Sequence, residues 1–413
     1  MDHVMAQWDE ERATRLGEFY RDLHRNPELS FQEHRTADRV AAALKELGWD
    51  VQTGIGGTGV AAVLRNGDGP AVMLRADMDA LPVREETGLP YASAVTAADP
   101  HGREVPVMHA CGHDLHTTCL LGAAELLTAS KESWSGTIVA VFQPAEETAS
   151  GAAAMVRDGL FDLVPVPVVV LAQHVCPLPV GMVGHRSGPL MAASDSLDIV
   201  LHGRGGHGSS PESAVDPVLM AASIVVRLQG IVAREVAMRD QAVVTVGRLQ
   251  AGTKDNIIPG TAELGINLRS YTPEIRERLK AAVERIIRAE AAASGAPREP
   301  ELAWTHSAPV LVSDPSGTQR TMDALAAQIG RDKLTELPPV AASEDAGVIG
   351  DAVGAPTVYW FLGGADPRAF ADDFAAGRVV MNHHPQYAPA ADPALASGVA
   401  MMTAAALAWL AAA

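Results

Sequence analysis

The residues best suited to chemistry are concentrated in one stretch, Val107-Met-His-Ala-Cys-Gly-His-Asp-Leu-His-Thr117. Cys111 and His113 lie two positions apart, and a thiolate and an imidazole are both good ligands for a borderline-soft divalent metal. Gly112 allows the backbone to turn sharply between them. The stretch therefore indicates a metal site, although taken alone it is also compatible with a histidine-rich surface loop.

Other ligand-type side chains follow apolar runs that are typical of buried strands. The runs Ala71–Arg75, Thr137–Phe142 and Val166–Ala172 are each followed closely by polar residues, namely Asp77, Asp79, Glu146, Glu147 and His174. Open α/β sheets bind ligands beyond the carboxyl ends of their strands. We therefore expect these side chains to surround one site, and their number suffices for two divalent ions that clamp an oxygen nucleophile and a carbonyl oxygen.

The adjacent pair Glu146 and Glu147 has two interpretations. An exposed turn is the ordinary setting for two glutamates. Here the pair follows a fully apolar strand, which favours a functional setting. Because neighbouring side chains diverge, we predict that one glutamate ligates metal while the other transfers protons.

The elements that must position these residues alternate between strands and helices from the N-terminus to about residue 187, which is typical of an α/β fold with a largely parallel sheet. From residue 188 the order becomes β-α-β-β-α-β, the split ferredoxin-like unit. The α/β pattern then resumes. At 413 residues, two domains are expected. We predict a catalytic domain over 1–187 and 309–413 and an inserted lid or dimerisation domain over 188–308.

Charge and composition exclude several classes of protein. The 32 basic and 50 acidic residues give a net charge of −18, which argues against nucleic acid or an anionic membrane as a partner. Three cysteines and an acidic N-terminus without an apolar stretch predict a reduced, cytoplasmic protein. The uncharged stretch 394–413 resembles a membrane span in length, but its alanine-rich composition favours a buried C-terminal helix.

Seven motifs together resemble the M20 metallopeptidases, and most closely their aminoacylase-like amidohydrolase branch, which includes hippurate hydrolases and auxin-conjugate hydrolases. They occur in family order over most of the chain: His24-Arg-Asn-Pro-Glu-Leu-Ser30, Arg75-Ala-Asp-Met-Asp-Ala-Leu-Pro82, Met108-His-Ala-Cys-Gly-His-Asp-Leu-His-Thr117, Val141-Phe-Gln-Pro-Ala-Glu-Glu147, Gly205-Gly-His-Gly-Ser-Ser-Pro211, Asn256-Ile-Ile-Pro259 and Ser343-Glu-Asp345.

The resemblance implies a role for each residue of the predicted site. Glu146 would be the general base that takes a proton from the nucleophilic water and passes it to the leaving amine. Asp77 and Asp79 match the acidic strand-end motif, and we read Asp79 as a residue that orients a ligand. The implied metal ligands are Cys111, His113, Glu147, His174 and a C-terminal histidine two residues before a proline, which selects His383 over His384.

The inserted domain carries three further candidates. By resemblance, His207 would stabilise the oxyanion at the scissile carbonyl, and in dimeric relatives this histidine can come from the partner subunit. The loop around His207 is glycine-rich but lacks a phosphate-loop signature, so a structural turn is the alternative. Asn256 and Arg269 match positions that hold a substrate carboxylate, although Arg269 could also be a surface charge at a strand end.

These inferences predict a metal-dependent amidohydrolase that cleaves N-acyl amino acids or related conjugates. We expect two divalent ions, Zn²⁺ or Mn²⁺ with Co²⁺ or Ni²⁺ as alternatives, and a homodimer or higher homo-oligomer. The alternatives are a dipeptidase or diaminopimelate-type deacylase on the same scaffold, a non-catalytic metabolite-binding protein, and a structural dimer whose metals only stabilise the fold. Cys176 replaces the tryptophan usual in relatives, which leaves the substrate preference open.

Overall fold

The computed structural model describes residues 2–411 and divides into two compact units. The first unit comprises Met1–Gly188, Val312–Pro338 and Asp345–Ala413, and the second comprises Pro189–Leu311 and Pro339–Glu344. The short segment Pro339–Glu344 belongs to the second unit because its backbone bonds there, with Val340 donating to Leu190 at 2.8 Å. No pattern in the sequence signals this return segment.

The first unit begins with fourteen elements. Its helices are α1 (Asp2–Met5), α2 (Glu10–Arg25), α3 (His34–Glu46), α4 (His113–Ala129), α5 (Gly151–Arg157) and α6 (Leu160–Leu163). Its strands are β1 (Asp50–Ile55), β2 (Gly59–Asn66), β3 (Ala71–Asp77), β4 (Thr96–Ala98), β5 (Glu104–Pro106), β6 (Gly136–Gln143), β7 (Val169–Pro179) and β8 (Val183–His185).

The second unit and the remainder of the first follow along the chain. The strands are β9 (Gly188–Met191), β10 (Ala193–His202), β11 (Gly206–His207), β12 (Ala242–Ala251), β13 (Ile257–Ile258), β14 (Thr261–Ser270), β15 (Glu301–Ala308), β16 (Leu311–Ser313), β17 (Leu334–Glu336) and β18 (Thr357–Ala365). The helices are α7 (Pro217–Glu235), α8 (Pro273–Ala293), α9 (Pro315–Ile329), α10 (Gly347–Asp351), α11 (Pro367–Ala375) and α12 (Ala391–Trp409).

The first unit is built on an eight-stranded sheet in the order β1-β2-β6-β3-β7-β18-β8-β17. The four central strands β6, β3, β7 and β18 run parallel, whereas β1 and β2 continue the sheet antiparallel at one edge. The predicted mixed, largely parallel sheet flanked by helices is confirmed. The carboxyl ends of β3 and β6 therefore lie side by side, with Asp77 opposite Gln143.

Two helices with almost no polar face pack together on this sheet. Helices α4 and α12 are buried along most of their length, as expected for helices that are apolar on all sides. The predicted buried C-terminal helix is confirmed. By length and composition α7 and α12 could each cross a membrane, but 61% of the α12 window is buried in the core, and core helices commonly share these properties.

The second unit contains a four-stranded antiparallel sheet in the order β12-β14-β10-β15. Alternate residues of β10 and β14, including Leu197, Ile199 and Leu264, are buried against α7 and α8. With two helices between strands in the chain order β-α-β-β-α-β, this is the predicted ferredoxin-like arrangement. Strand β12 forms one edge of the sheet.

Candidate metal and catalytic site

The central motif of the sequence forms the start of α4. Gly112 precedes the helix with a φ of 85°, and its absent side chain matters because a Cβ there would clash with Val175. The turn brings Cys111 and His113 to the same buried place, where Cys111 Sγ and ring nitrogens of His113 and His174 all lie within 4.8 Å of one another. The alternative of an exposed histidine-rich loop is therefore wrong.

His174 reaches this place from within a strand. The sequence predicted it just past a strand end, but β7 continues to Pro179. The pairing of β7 with β3 stops at Ala172, opposite Arg75, and from there β7 runs on beside β18 alone. His174 lies beyond that point. Its Nδ1 is 2.7 Å from the carbonyl oxygen of Val175, an arrangement in which Nδ1 donates and Nε2 faces Cys111.

The glutamate pair lies in the turn after β6. Glu146 Oε2 and Glu147 Oε1 are each 3.8 Å from His113 Nε2. Glu146 is buried at 8% exposure, so the alternative of an exposed turn is wrong for this residue. Glu147 also lies 3.4 Å from His383 Nε2, which is itself 3.2 Å from Cys111 Sγ. The two glutamates thus flank the imidazole of His113.

Of the two C-terminal histidines, only His383 joins the cluster. Its backbone is in the left-handed region with φ 70°, and its amide donates to the carbonyl of Ala110. His384 is exposed, and its Nδ1 accepts from the amide of Gln386 at 3.2 Å. Asn382 further fixes the loop by donating to the carbonyl oxygens of Cys111 and Val175.

Asp79 connects the central loop to the glutamate turn. Its Oδ1 lies 3.2 Å from His113 Nδ1 and accepts from the amide of Glu146 at 3.1 Å. Its Oδ2 accepts from the amide of Glu147 at 3.0 Å and from the hydroxyl of Ser30 at 2.6 Å. A single buried carboxylate therefore sets the orientation of the His113 ring and of both glutamates.

Asp77 contacts a different histidine, His116. Its carboxylate accepts from Arg75 at 2.7 Å and lies 2.6 Å from His116 Nδ1. The other ring nitrogen of His116 accepts from the amide of Val175 at 2.7 Å. Both ring nitrogens of His116 are therefore engaged. His116 positions the backbone that follows His174, and its own nitrogens are not free for a metal.

His116 is a site residue that the sequence analysis missed. It lies one helical turn after His113 in α4, and i, i+3 neighbours share a helix face. That spacing was a usable signal. The hydrogen bond between His116 and the amide of Val175 joins residues far apart in the chain, so no local pattern in the sequence signals it.

The electrostatics of the cluster favour a cation. Burial by itself would lower the pKa of His113, but the carboxylates of Asp77, Asp79 and Glu147 raise it to about 10. Burial also raises the pKa of the Cys111 thiol, and Glu147 and Glu146 raise it further. The pKa of His174 is lowered by burial and by neighbouring His116. The cluster thus combines the neutral imidazole of His174 with carboxylates that attract positive charge.

These residues fit divalent metal ions. His113 Nε2 and Glu147 Oε1 are buried without a hydrogen bond, and buried polar atoms normally have a partner. Two donor groups share Cys111, one with His113 and His174 and the other with Glu147 and His383. Sulfur, nitrogen and oxygen donors in this combination suit Zn²⁺ and its borderline neighbours.

In the second unit, the predicted substrate residues are not gathered in one place. His207 is exposed on β11, with its Nδ1 2.7 Å from the hydroxyl of Ser209. It pairs with Ile257 of β13, directly after Asn256, so His207 and Asn256 are neighbours. Arg269 lies near the far end of β14, roughly 27 Å along the strand from Thr261 at the usual rise per residue.

Arg269 is half-buried rather than a free surface charge. Its Nε donates to Asn267 at 3.0 Å and its Nη1 donates to the carbonyl of Ala341 at 3.0 Å and to Ser343 at 3.3 Å. Burial lowers the pKa of its guanidinium. The return segment of the second unit thus orients this arginine.

Comparison with known proteins agrees with this architecture. The family model of peptidase family M20/M25/M40 matches residues 73–408. The chain belongs to this family. Members of peptidase family M20/M25/M40 are hydrolases that act on amide bonds, and this chain is one of them.

Two curated relatives and one solved structure indicate the branch. The chain is 37% identical to the N-acetylcysteine deacetylase of Bacillus subtilis over 77% of its own length and 80% of the relative. It is 42% identical to the hippurate hydrolase of Campylobacter jejuni over 67% of its length and 71% of the relative. A dinuclear metal-binding M20 peptidase from Bacillus subtilis superimposes with a TM-score of 0.76 at 30% identity, covering 97% of this chain and all of that one.

Proposed function

We propose that the chain is a metal-dependent amidohydrolase that splits N-acyl amino acids into a carboxylic acid and an amino acid. The observation that carries this proposal is the largely buried cluster of sulfur, nitrogen and oxygen donors with a second glutamate beside it. Five donors account for metal binding, which leaves Glu146 as an additional carboxylate. A protein that only bound metal for stability would have no use for that group at the edge of the cluster.

The proposed ligands are Cys111, His113, Glu147, His174 and His383, and Zn²⁺ or Mn²⁺ is the proposed metal. When bound, such ions polarise the substrate carbonyl and lower the pKa of a water molecule. Glu146 then accepts the water proton at Oε2, the oxygen nearer His113, and delivers it to the departing nitrogen. Asp79 orients both the ligand His113 and the proton carrier Glu146, because its carboxylate bonds to the His113 ring and to the amides of both glutamates.

The residues of the second unit would bind the rest of the substrate. We assign Arg269 to the substrate carboxylate, since its Nη2 makes no hydrogen bond within residues 2–411 and a guanidinium pairs well with a carboxylate. We assign His207 to the carbonyl oxygen, where a donor stabilises developing negative charge. Asn256 lies beside His207 and would contact the same end of the substrate.

Because Arg269 and the pair of His207 and Asn256 lie at opposite ends of β14, one unit does not place them around one small molecule. The proposal therefore includes a homodimer in which each substrate meets residues of both chains. The long edge strand β12 supports it, since Val243 and Leu249 on this edge are 48% and 45% exposed. Helix α7 adds Leu219 and Val226 at 67% and 75% exposure. Unpaired edges and apolar surface of this kind are normally covered.

The experiment is hydrolysis of a panel of N-acetyl, N-benzoyl and indole-acyl amino acids and simple dipeptides. Chelated protein is compared with protein reloaded with Zn²⁺ or Mn²⁺, and bound metal is counted in each sample. Release of amino acid only after reloading supports the proposal, and the preferred acyl group identifies the substrate class. A preference for dipeptides would instead favour a dipeptidase. Failure to bind metal under any loading would contradict the ligand assignment.

A further inference from the structure

The turn that carries Glu146 has an unusual backbone. Ala145, which precedes it, adopts a φ of 50°, and Ala149 adopts a φ of 47°. Residues other than glycine seldom occupy this left-handed region, and holding one there costs on the order of 1 kcal/mol or more. The turn therefore requires contacts from outside itself to keep Glu146 in place.

Those contacts are made by two carboxylates that accept from three successive amides. Asp79 accepts from the amides of Glu146 and Glu147, as described above. The amide of Ala145 donates to Oε1 of Glu33, at 2.9 Å. Glu33 immediately precedes α3, more than a hundred residues earlier in the chain. The left-handed residue at the start of the turn is thus held by a side chain from a different part of the fold.

Glu33 is fully buried, and burial of its carboxylate costs free energy of folding. It has 0% exposure, and no lysine or arginine among residues 2–411 forms an ion pair with it. Its partners are the amides of Phe31 and Ala145 on Oε1 and the hydroxyl of Thr58 on Oε2. Burial, and then the charge of Asp79, raise the pKa of Glu33 to about 7. Burial of a carboxylate without a paired cation costs free energy, which its three hydrogen bonds offset only in part.

We propose that Glu33 is a positioning residue for Glu146, which it holds through the amide of Ala145. This inference rests on the proposed function, because Glu146 must have a catalytic task for its position to matter. Loss of the Glu33 oxygen would free Ala145 to leave the left-handed region and would shift the Glu146 carboxylate relative to His113. A displacement of about 1 Å in a reacting group can cost on the order of a hundredfold in rate.

The two oxygens of the Glu33 carboxylate have different partners, Ala145 on Oε1 and Thr58 on Oε2, so each contact can be tested by its own variant. Glu33→Ala removes the acceptor for Ala145 together with the contact to Thr58. Thr58→Val removes only the Thr58 hydroxyl and leaves the bond to Ala145. Both variants lose a buried hydrogen bond and are expected to have a lower Tm. Only Glu33→Ala is expected to disturb the catalytic turn.

Hydrogen–deuterium exchange of the metal-free protein measures the turn without any activity. We expect the amides of residues 145–147 to exchange at least about tenfold faster in Glu33→Ala and at the wild-type rate in Thr58→Val, because exchange reports local opening. In the metal-loaded enzyme we expect kcat to fall by about ten- to a hundredfold in Glu33→Ala with KM changed by less than about threefold. Metal stoichiometry should stay at the wild-type value in both variants.

Glu33→Gln tests whether shape or charge matters. An amide can accept from Ala145 and donate to Thr58, so this variant should recover kcat to within about threefold of wild type. If Glu33→Ala does not fold, Glu33→Asp withdraws the oxygen by one methylene and should show the same direction of change.

Three results would overturn the proposal. The first is wild-type exchange at residues 145–147 in the variant that lacks the acceptor. The second is an equal fall in kcat for Thr58→Val, which would mean that any loss of stability has this effect. The third is an inactive Glu33→Gln that retains wild-type exchange. If the wild-type enzyme itself hydrolyses nothing, the proposed function fails, whereas the exchange result still decides what holds the turn.

Discussion

In the first unit, the candidate ligands Cys111, His113 and His174 are buried, Glu147 is partly buried and His383 is exposed, and each is fixed by at least one bond from a distant segment. Asp79 holds His113, Asn382 donates to Cys111, and His116 holds the backbone next to His174. In the second unit, His207 is exposed, and within residues 2–411 its imidazole bonds to Ser209 alone, two residues away. The metal cluster of the first unit is therefore preorganised within one chain. We propose that His207 of the second unit acts only when it contacts substrate in the homodimer.

Replacement of the proton carrier should have the largest effect. Glu146→Gln keeps the size of the side chain and removes its basicity, so we expect kcat to fall by about 10²- to 10⁴-fold with both metals still bound. Glu147→Gln is the matched control, since it should reduce metal binding as well. Steady-state kinetics and metal counting distinguish the two. Unaltered activity of Glu146→Gln would remove it from the mechanism.

His207→Ala tests the exposed region. We expect a loss of about 10²- to 10³-fold in kcat, the usual cost of one oxyanion donor, with an unchanged Tm because the side chain packs against little. If the site combines two chains, mixing this variant with Glu146→Gln after dissociation should restore roughly a quarter of wild-type activity, since half the random dimers are mixed and each has one intact site. No recovery in mixed dimers would show that each chain works alone.

The buried network behind the metal cluster makes stability depend on pH. His24 lies 2.6 Å from Asp114 and 3.1 Å from Glu85. Burial would lower the pKa of His24, but these carboxylates raise it to about 9. Because the folded-state pKa exceeds the unfolded value, its stabilisation is complete below about pH 6.5 and is lost as the pH rises through about 9.

His24→Gln should therefore destabilise the protein by on the order of 3 kcal/mol at pH 6 and by much less at pH 10. Urea unfolding of both proteins at each pH gives this difference. His34→Gln, on the surface at the start of α3, serves as the control and should show no such trend. A constant difference across the range would mean that His24 is not charged in the folded protein.

His116→Ala should have the smallest effect of the four. Loss of a residue that orients a ligand typically weakens metal binding by about 10- to 100-fold. His116→Gln should be milder because it can donate to Asp77 while its carbonyl oxygen accepts from the Val175 amide. Competition with a chelator measures both affinities. A complete loss of one metal ion would show instead that His116 is itself a ligand.

Much of the fold could be predicted because its patterns are local. The apolar runs of β3 and β6 and the β-α-β-β-α-β order of the second unit are visible in the residues. The end of β7 was misplaced, since Gln173 to Pro179 remains in the sheet only through pairing with β18, a strand almost two hundred residues away. The short helix α11 was also missed. It buries none of its residues, although Phe370 and Phe374 lie one helical turn apart, a spacing that was a usable signal.

By itself, the sequence determined which residue types could bind metal and carry protons, because those properties belong to side chains and short motifs. It also determined the turn at Gly112, where only glycine fits beside Val175. The resemblance already favoured His383 over His384, but only the tertiary structure brings His383 beside Cys111 and engages both ring nitrogens of His116 elsewhere. It alone brought Glu33 to the amide of Ala145. Such contacts join segments that are distant in the chain, and their geometry follows from packing of the whole sheet.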